Sequence, residues 1–248
     1  MKTSLIVPLY NEEARIGRTL PYMVAYATQH WGPQAEIIGV DDGSTDATTF
    51  RWAEAVATVR SRLPDTALCH IHLMQHARNR GKGAAVRTGM LAARGTTRVF
   101  LDADLSAPVT LWGEMDAMLT RPDPPALIVG SRWMPGARFV VPPPLYRQMM
   151  SRTFNVLLRW QTHLPYRDTQ CGAKGFTAAS ARALFGTLRN DGFIFDVELL
   201  LRAQRTGLTV QEVPVAWTDQ RGSTVHAWRD SWAMLWAARA LVQVGEGG

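Results

Sequence analysis

The sequence is poor in sulfur. Its two cysteines, Cys69 and Cys171, are too few for a disulfide framework and form no CxxC pair. That excludes a stapled secreted scaffold and a cysteine metal cage, and a reducing, cytoplasmic compartment fits best. The six histidines show no metal-ligand spacing. No apolar run reaches the length of a membrane-spanning helix. The opening "MKTSLIVPLYNEE" reads as a first strand rather than a signal peptide. The expectation is a protein that is soluble or lies on a membrane without crossing it. GxSxG is missing, so no serine nucleophile motif is present. Repeats and low-complexity segments are missing too.

What is present is an ordinary globular composition. With 46% hydrophobic and 19% charged residues over 248 positions, the chain can build one large core. Basic residues outnumber acidic ones, 27 to 21, giving a formal charge of +6. Such a surface suits phosphate-bearing ligands, anionic membranes or nucleic acid, and it equally serves solubility alone.

Hydrophobic periodicity alternates between strand and helix. Strands are expected at 4–10, 35–42, 67–74, 97–104 and 126–132. Helices are expected at 12–30, 46–63, 81–95 and 107–120. In the second helix Asp46 is the expected cap, with Phe50, Ala53, Val56 and Ala57 near one face. This β-α alternation implies an α/β fold with a largely parallel sheet and helices on both faces. Past residue 133 the pattern changes. A Pro-rich irregular segment (134–146) precedes a helix at 146–160 carrying Arg147, Arg152 and Arg159 among Met, Phe and Leu. A short strand (171–177), a helix (195–207), a strand (209–217) and a last helix (about 225–243) follow. That last helix has Trp228, Trp232, Leu235 and Trp236 on one stripe. The reading is a single domain, 1–248, whose second half (133–248) elaborates the first (1–132).

Ligands of open α/β sheets bind outside the carboxyl ends of the strands. Here those ends are polar: "PLYNEE", "DDGSTD", "DADLS" and "GSR". In "DADLS", alternation along an extended strand would point Asp102 and Asp104 the same way. Two close carboxylates repel unless a cation sits between them, and a hard divalent ion fits. The competing reading makes Asp104 a helix cap and Asp102 a solvated strand end; the other acidic strand ends favour the metal. Asp41 and Asp42 stand before the cap of the next helix, where an acid suits a nucleoside's N–H or ribose hydroxyls.

"NRGKGAAVRTG" (79–89) puts glycines and Lys82 at a helix start. It lacks the GxxxxGK[ST] spacing, which excludes a P-loop. Lys82 either lines a sugar-phosphate cleft or is a solvated lysine beside a cap. Asp196 and Glu198 open a helix, where dipole partnership is an equal explanation. Asp168, in a polar loop before a strand, is the better catalytic candidate.

Taken together, "PLYNEE", "VDDGSTD", "RGKGAAVRTGM", "DADLS", "GSR", "RDTQCGAKGF", "FDVELL" and "RGSTV…RDSWAML" resemble family 2 glycosyltransferases of the GT-A fold over nearly the whole chain. The middle and late motifs are similar to the polyprenyl-phosphate branch, which includes dolichyl-phosphate β-glucosyltransferases. The resemblance implies inverting transfer of a hexose, glucose from UDP-glucose foremost, to the phosphate of a polyprenyl lipid, with Mg²⁺ or Mn²⁺. It implies that Pro8, Tyr10, Glu12 and Asp42 hold base and ribose, with Lys82 lining the same cleft. Asp102, Ala103 and Asp104 would meet the metal–diphosphate, Asp102 and Asp104 as ligands. Arg132, Arg147 and Ser151 would grip the acceptor phosphate. Asp104 and Asp168 would be catalytic, Asp168 as a positioning group or base. The implied location is the membrane surface, peripheral on its inner face; nucleic acid is not an expected partner.

The chain departs from the pattern near its end. Relatives usually read "GSK" there; this sequence has "GST", with Thr224 for lysine, so either Arg221 just upstream supplies the lost charge or the phosphate grip is weaker. GDP-mannose as donor, or a soluble or glycan acceptor, are the alternatives within the family. An aspartyl phosphohydrolase would need "DADLS" on the first strand, and a non-catalytic binder would not need the intact acids.

Overall fold

The computed structural model describes residues 1–62, 64, 66–220 and 241. Its centre is a seven-stranded sheet in the order β3-β2-β1-β4-β7-β5-β8. The first half supplies β1 (Thr3–Leu9), β2 (Ala35–Asp41), β3 (His70–Gln75), β4 (Thr97–Leu101) and β5 (Leu127–Ser131). The second half supplies β7 (Ala173–Thr177) and β8 (Val210–Pro214). Strands β1 to β4 pair in parallel, as do β5 and β8, whereas β7 runs antiparallel between β4 and β5.

Alternation along β1 builds two cores. Leu5, Val7 and Leu9 face one layer, with Ile16, Leu20 and Met23 of α1 (Glu13–His30) and Trp112 and Met115 of α4 (Thr110–Leu119). Ile6 faces the other, with Val86 and Met90 of α3 (Lys82–Ala92), Phe154 and Leu158 of α5 (Leu145–Thr162), and Leu184 of α6 (Ala178–Gly186). Phe195, Val197 and Leu200 of α7 (Phe195–Arg205) complete that second layer. Pro8 is tolerated in a central strand because β1 pairs with β4 only as far as Ile6.

Several expectations need correction. In α2 (Thr48–Arg60) the buried positions are Thr48, Trp52, Ala55 and Val59, while Phe50 is 64% exposed. The indole of Trp52 fills the space over Gly39, where a Cβ would come within 2.5 Å of the ring. A large ring with a matching hollow thus sets the face. The strand expected at 209–217 divides: β8 joins the main sheet, and β9 (Ala216–Thr218) pairs in parallel with β6 (Arg138–Val141). Helix α6 was not anticipated, although Thr177 caps it by accepting from the Ser180 N–H at 3.2 Å.

β1 has β2 on one side and β4 on the other, so the chain direction across the sheet reverses there. The crevice at that point lies between the segments after β1 and after β4. β7 brings a third segment to it. Being antiparallel, its first residue, Ala173, pairs with Leu101 at the end of β4. The loop that enters β7 therefore lies at the same edge as the loops that leave its neighbours.

Candidate active site

β4 ends at Leu101, short of the expected 104. The chain turns there: the Leu105 N–H donates to the Asp102 carbonyl (3.1 Å), and Leu105 adopts a left-handed φ of 53°. It is this turn, rather than strand alternation, that brings Asp102 and Asp104 together. Asp104 accepts from the Ser106 N–H (2.8 Å) and Oγ–H (2.9 Å). It does not cap α4, which begins at Thr110. The Asp102 N–H donates to the carbonyl of Gly172 (3.2 Å), tying the turn to the loop before β7. A Cβ on Gly172 would fall 1.9 Å from Asp102 Oδ2, so this carboxylate needs a glycine beside it.

Two cavities meet at this turn. One, of about 430 Å³, is lined by Pro8, Tyr10, Glu12 and Arg15 after β1, by Asp42, and by Gly81 and Lys82 at the start of α3. The other, of about 330 Å³, is lined by Arg132, Arg147, Ser151, Gln170, Asp196 and Trp217 among others. Asp102, Asp104, Lys82 and Phe193 line both. Every described residue expected at the nucleotide end, Ala103 included, lies on the first cavity; Arg132, Arg147 and Ser151 lie on the second. Arg221, Thr224 and the last helix with Trp228, Trp232, Leu235 and Trp236 lie outside the described residues.

The charges around the shared wall are unevenly satisfied. Lys82 Nζ lies 2.6 Å from Asp102 Oδ1. Burial works against its charge, but Asp102 and Asp196 outweigh that and raise its pKa. Burial and the neighbouring Asp102 raise the pKa of Asp104, whose guanidinium neighbour, Arg15 Nη1, stands off at 3.9 Å. Glu12 is pushed up to about 7, mainly by burial, with the negative charges of Asp104 and Asp102 adding to it. Its Oε2 is buried 3.2 Å from Arg15 Nε, an ion pair that lowers the pKa less than burial raises it. Along the first cavity four carboxylates, Glu12, Asp42, Asp102 and Asp104, stand against the two cations Arg15 and Lys82. The wall is thus short of positive charge.

Among the described residues no three His, Cys, Asp or Glu side chains form a closed ligand set. Asp104, with its nearest guanidinium 3.9 Å away, beside Asp102, which Lys82 already meets, fits a hard cation of another kind. Such an ion takes one or two protein carboxylates and fills its remaining positions with water and phosphate oxygens.

Asp42 is engaged by its own chain. It accepts from the Arg80 N–H (3.0 Å), the Gly81 N–H (2.7 Å) and pairs with His76 Nδ1 (2.7 Å). These bonds hold the loop that leads into α3. Gly81 (φ 109°) and Gly83 serve close approach: a Cβ would come within 2.3 Å of the Asp191 carbonyl at the first and 2.6 Å of the Asn190 carbonyl at the second. The "GKG" glycines thus seat the 190–192 segment against α3, with Lys82 between them facing the cavities.

Asp168 lines neither cavity and is 1% exposed. Its carboxylate accepts from the Arg132 N–H (3.0 Å), Nε–H (2.7 Å) and Nη2–H (3.0 Å). Burial opposes its charge, yet Arg132 outweighs burial and holds the carboxyl below the usual range. A carboxylate so occupied is a poor base, which counts against the base role expected for it. Arg132 in turn lies over the Trp217 ring at 5.0 Å. Arg147 faces Asp219 at 3.6 Å. Cys171 is buried and its thiol is pushed up to about 12, so it is no nucleophile.

The sequence profile described as glycosyl transferase family 2 matches residues 4–178. The dolichyl-phosphate beta-glucosyltransferase of Drosophila melanogaster is 33% identical, over 98% of this chain and 74% of that protein. Its counterpart in Saccharomyces cerevisiae is 31% identical, over 89% of this chain and 68% of that protein. This chain belongs to glycosyltransferase family 2. In fold it is similar, with a TM-score of 0.68 at 18% identity, to glucosyl-3-phosphoglycerate synthase of Mycobacterium tuberculosis in complex with Mn²⁺ and UDP-glucose; the match covers 98% of this chain and 79% of that one.

The glycosyltransferase carries site residues that the motifs did not single out. Lys174 is fully buried, donating to Asp196 Oδ1 (2.7 Å) and to the Cys171 carbonyl (2.9 Å). A lysine inside the apolar strand "AKGFT" was the available signal. Asp196 lines the second cavity, and burial raises its pKa despite Lys174. Glu198, two residues on, points elsewhere: it accepts from the N–H groups of Arg189 (2.9 Å) and Asn190 (2.8 Å) and from Arg202 Nε (2.7 Å). Its role is to brace the turn before α7. Arg15, Phe193 and Trp217 were not marked by any motif.

Proposed function

We propose that this glycosyltransferase moves glucose from UDP-glucose to the phosphate of a polyprenyl lipid, with inversion and with a divalent cation. The observation that carries this reading is the shared wall: an acid-lined cavity and an arginine-lined cavity meet at Asp102, Asp104 and Lys82. The names of the relatives supply the sugar and the lipid phosphate.

In this reading Glu12 and Asp42 face base and ribose, and the diphosphate lies toward Asp102 and Asp104. A divalent ion held by those carboxylates would neutralise the charge that grows on the leaving diphosphate. Lys82 adds a fixed positive charge on the same side. The acceptor phosphate enters the other cavity, where Arg132 and Arg147 present guanidinium donors and Ser151 a hydroxyl. Its oxygen forms the new bond to the anomeric carbon as the bond to the diphosphate oxygen breaks, and UDP leaves with the electron pair. Entry from opposite cavities favours inversion. A phosphate is already ionised at neutral pH, so no base is required; Asp168 acts by holding Arg132.

Helix α5 supports a lipid acceptor and a peripheral position. Arg147, Gln148 and Ser151 face the cavity, while Leu145 (77% exposed), Met149 (70%) and Trp160 (77%) lie along an outer stripe with Val156 and Arg152. Apolar side chains interspersed with arginine suit an anionic bilayer interface. Among the described residues no helix is long and apolar enough to cross a membrane.

The test is turnover with UDP-glucose, Mg²⁺ or Mn²⁺ and a short polyprenyl phosphate, beside GDP-mannose and soluble phosphate acceptors. Lipid-linked glucose that disappears with chelator and in Asp104→Ala supports the reading. Turnover only with a soluble acceptor overturns the lipid assignment.

A further inference from the structure

Four residues line both cavities, and three of them are charged. The fourth, Phe193, is an aromatic ring 41% exposed at the junction. Exposed aromatic surface costs free energy in water, on the order of 25 cal/mol per Å². Among the described residues this ring stacks on no other ring and faces no cation. Its place is nevertheless held from both sides. Before it, Asp191 is tied to Arg87 (2.9 Å), and its carbonyl accepts from the Ala84 N–H (3.1 Å). After it, Ile194 and Phe195 are buried in the second core, and the Phe195 N–H donates to the Gly192 carbonyl (3.3 Å). A segment pinned at 191 and at 195 has little freedom to withdraw the ring between them.

We propose that Phe193 is the platform for the transferred hexose, an inference that rests on the donor and acceptor assignment above. If the diphosphate occupies one cavity and the attacking phosphate the other, the sugar lies where they meet. The remaining shared residues offer only charge, which serves the diphosphate and the cation. A pyranose also has a C–H face. Its hydrogens carry partial positive charge and meet the negative face of an aromatic ring favourably. The ring would also keep water from the anomeric carbon, limiting hydrolysis of the donor. Phe193 would thereby hold the sugar without any hydrogen bond and set the orientation from which the acceptor attacks.

The test compares nucleotide with nucleotide-sugar in the whole 248-residue chain. Binding of UDP and of UDP-glucose, each with Mn²⁺, is measured by calorimetry for wild type, Phe193→Ala and Phe193→Trp. The expected result for Phe193→Ala is a roughly tenfold weaker UDP-glucose affinity with UDP affinity unchanged within about twofold. Phe193→Trp is expected to keep the wild-type difference between the two ligands. Equal weakening of UDP and UDP-glucose would overturn the proposal by assigning the ring to the nucleotide. Unchanged affinities with a raised KM for the lipid phosphate would overturn it by assigning the ring to the acceptor. Wild type that prefers another nucleotide-sugar corrects the donor assignment, and the same comparison with that donor then decides Phe193. Wild type that binds no nucleotide-sugar at all overturns both. Melting curves of the variants separate these outcomes from misfolding.

Discussion

Asp168 and Arg132 form the most constrained ion pair in the site. One carboxylate receives the backbone N–H, Nε–H and Nη2–H of one arginine, at 3.0, 2.7 and 3.0 Å, beneath a cavity that only the arginine reaches. The arginine's other face lies over Trp217. Its reach into the cavity is therefore set by a residue that does not itself line it.

Asp168→Asn is expected to act on the acceptor rather than the donor. Leaving a buried guanidinium half-paired costs about 3–5 kcal/mol of stability, and the loosened Arg132 should raise the KM for the acceptor at least tenfold. UDP affinity should stay at the wild-type value. Steady-state kinetics with calorimetric UDP binding checks this. A collapse of kcat with acceptor KM unchanged would restore Asp168 as a base.

Gly172→Ala probes the turn through a single methyl. The new Cβ would fall 1.9 Å from Asp102 Oδ2, so that carboxylate must move while the backbone need not. The expected outcome is a folded protein, destabilised by no more than about 2 kcal/mol, whose Mn²⁺-dependent binding of UDP drops sharply. Titration of Mn²⁺ by electron paramagnetic resonance reads the effect directly. Wild-type Mn²⁺·UDP affinity in this variant would remove Asp102 from the metal site.

Lys82→Met removes the cation nearest Asp102. Loss of one positioned charge at a leaving group typically lowers kcat about 10²-fold, and that is the effect expected here, with acceptor KM little changed. Since Asp102 and Asp196 raise its pKa, Lys82 stays charged through neutral pH, so no loss of activity near pH 8 should trace to it. Unchanged kcat would confine Lys82 to neutralising Asp102.

Glu12 links the site to stability. Its pKa rises from 4.5 to about 7 in the folded chain. Between those values the folded state keeps a proton that the unfolded state has lost, so stability falls as pH rises through this window and levels off above it. In Glu12→Gln that fall is abolished. The Tm of the variant, relative to wild type, should therefore climb between pH 4.5 and pH 7 and stay constant above. A constant Tm difference across the window would show that Glu12 titrates normally.

Much of this was legible from one dimension because it depends on local pattern. Apolar runs that stop in acid marked the ends of β1, β2 and β4, and strand ends in an α/β sheet share one edge. Asp102 and Asp104 were reachable that way, Arg132 from the polar strand end "GSR", and Lys82 from the glycines at a helix start. The face of α2 was misread because Trp52 and Phe50 are equally apolar; only the hollow over Gly39 tells them apart. Lys174 was passed over because a buried lysine is defined by its partner, Asp196, which lies 22 residues further along the chain.

The sequence by itself determined the class of fold, the polar edge and the family, since periodicity, strand-end chemistry and motif order are all written along the chain. The tertiary structure decided how those pieces act on one another. Inserting β7 antiparallel between β4 and β5 carries the Asp168–Gly172 loop to the carboxyl edge, under Arg132 and against Asp102. The same packing brings the segment after Leu188 over α3 and sets Phe193 between the cavities. Pairings between residues so far apart in the chain depend on strand order and direction, and those are fixed only when the whole sheet assembles.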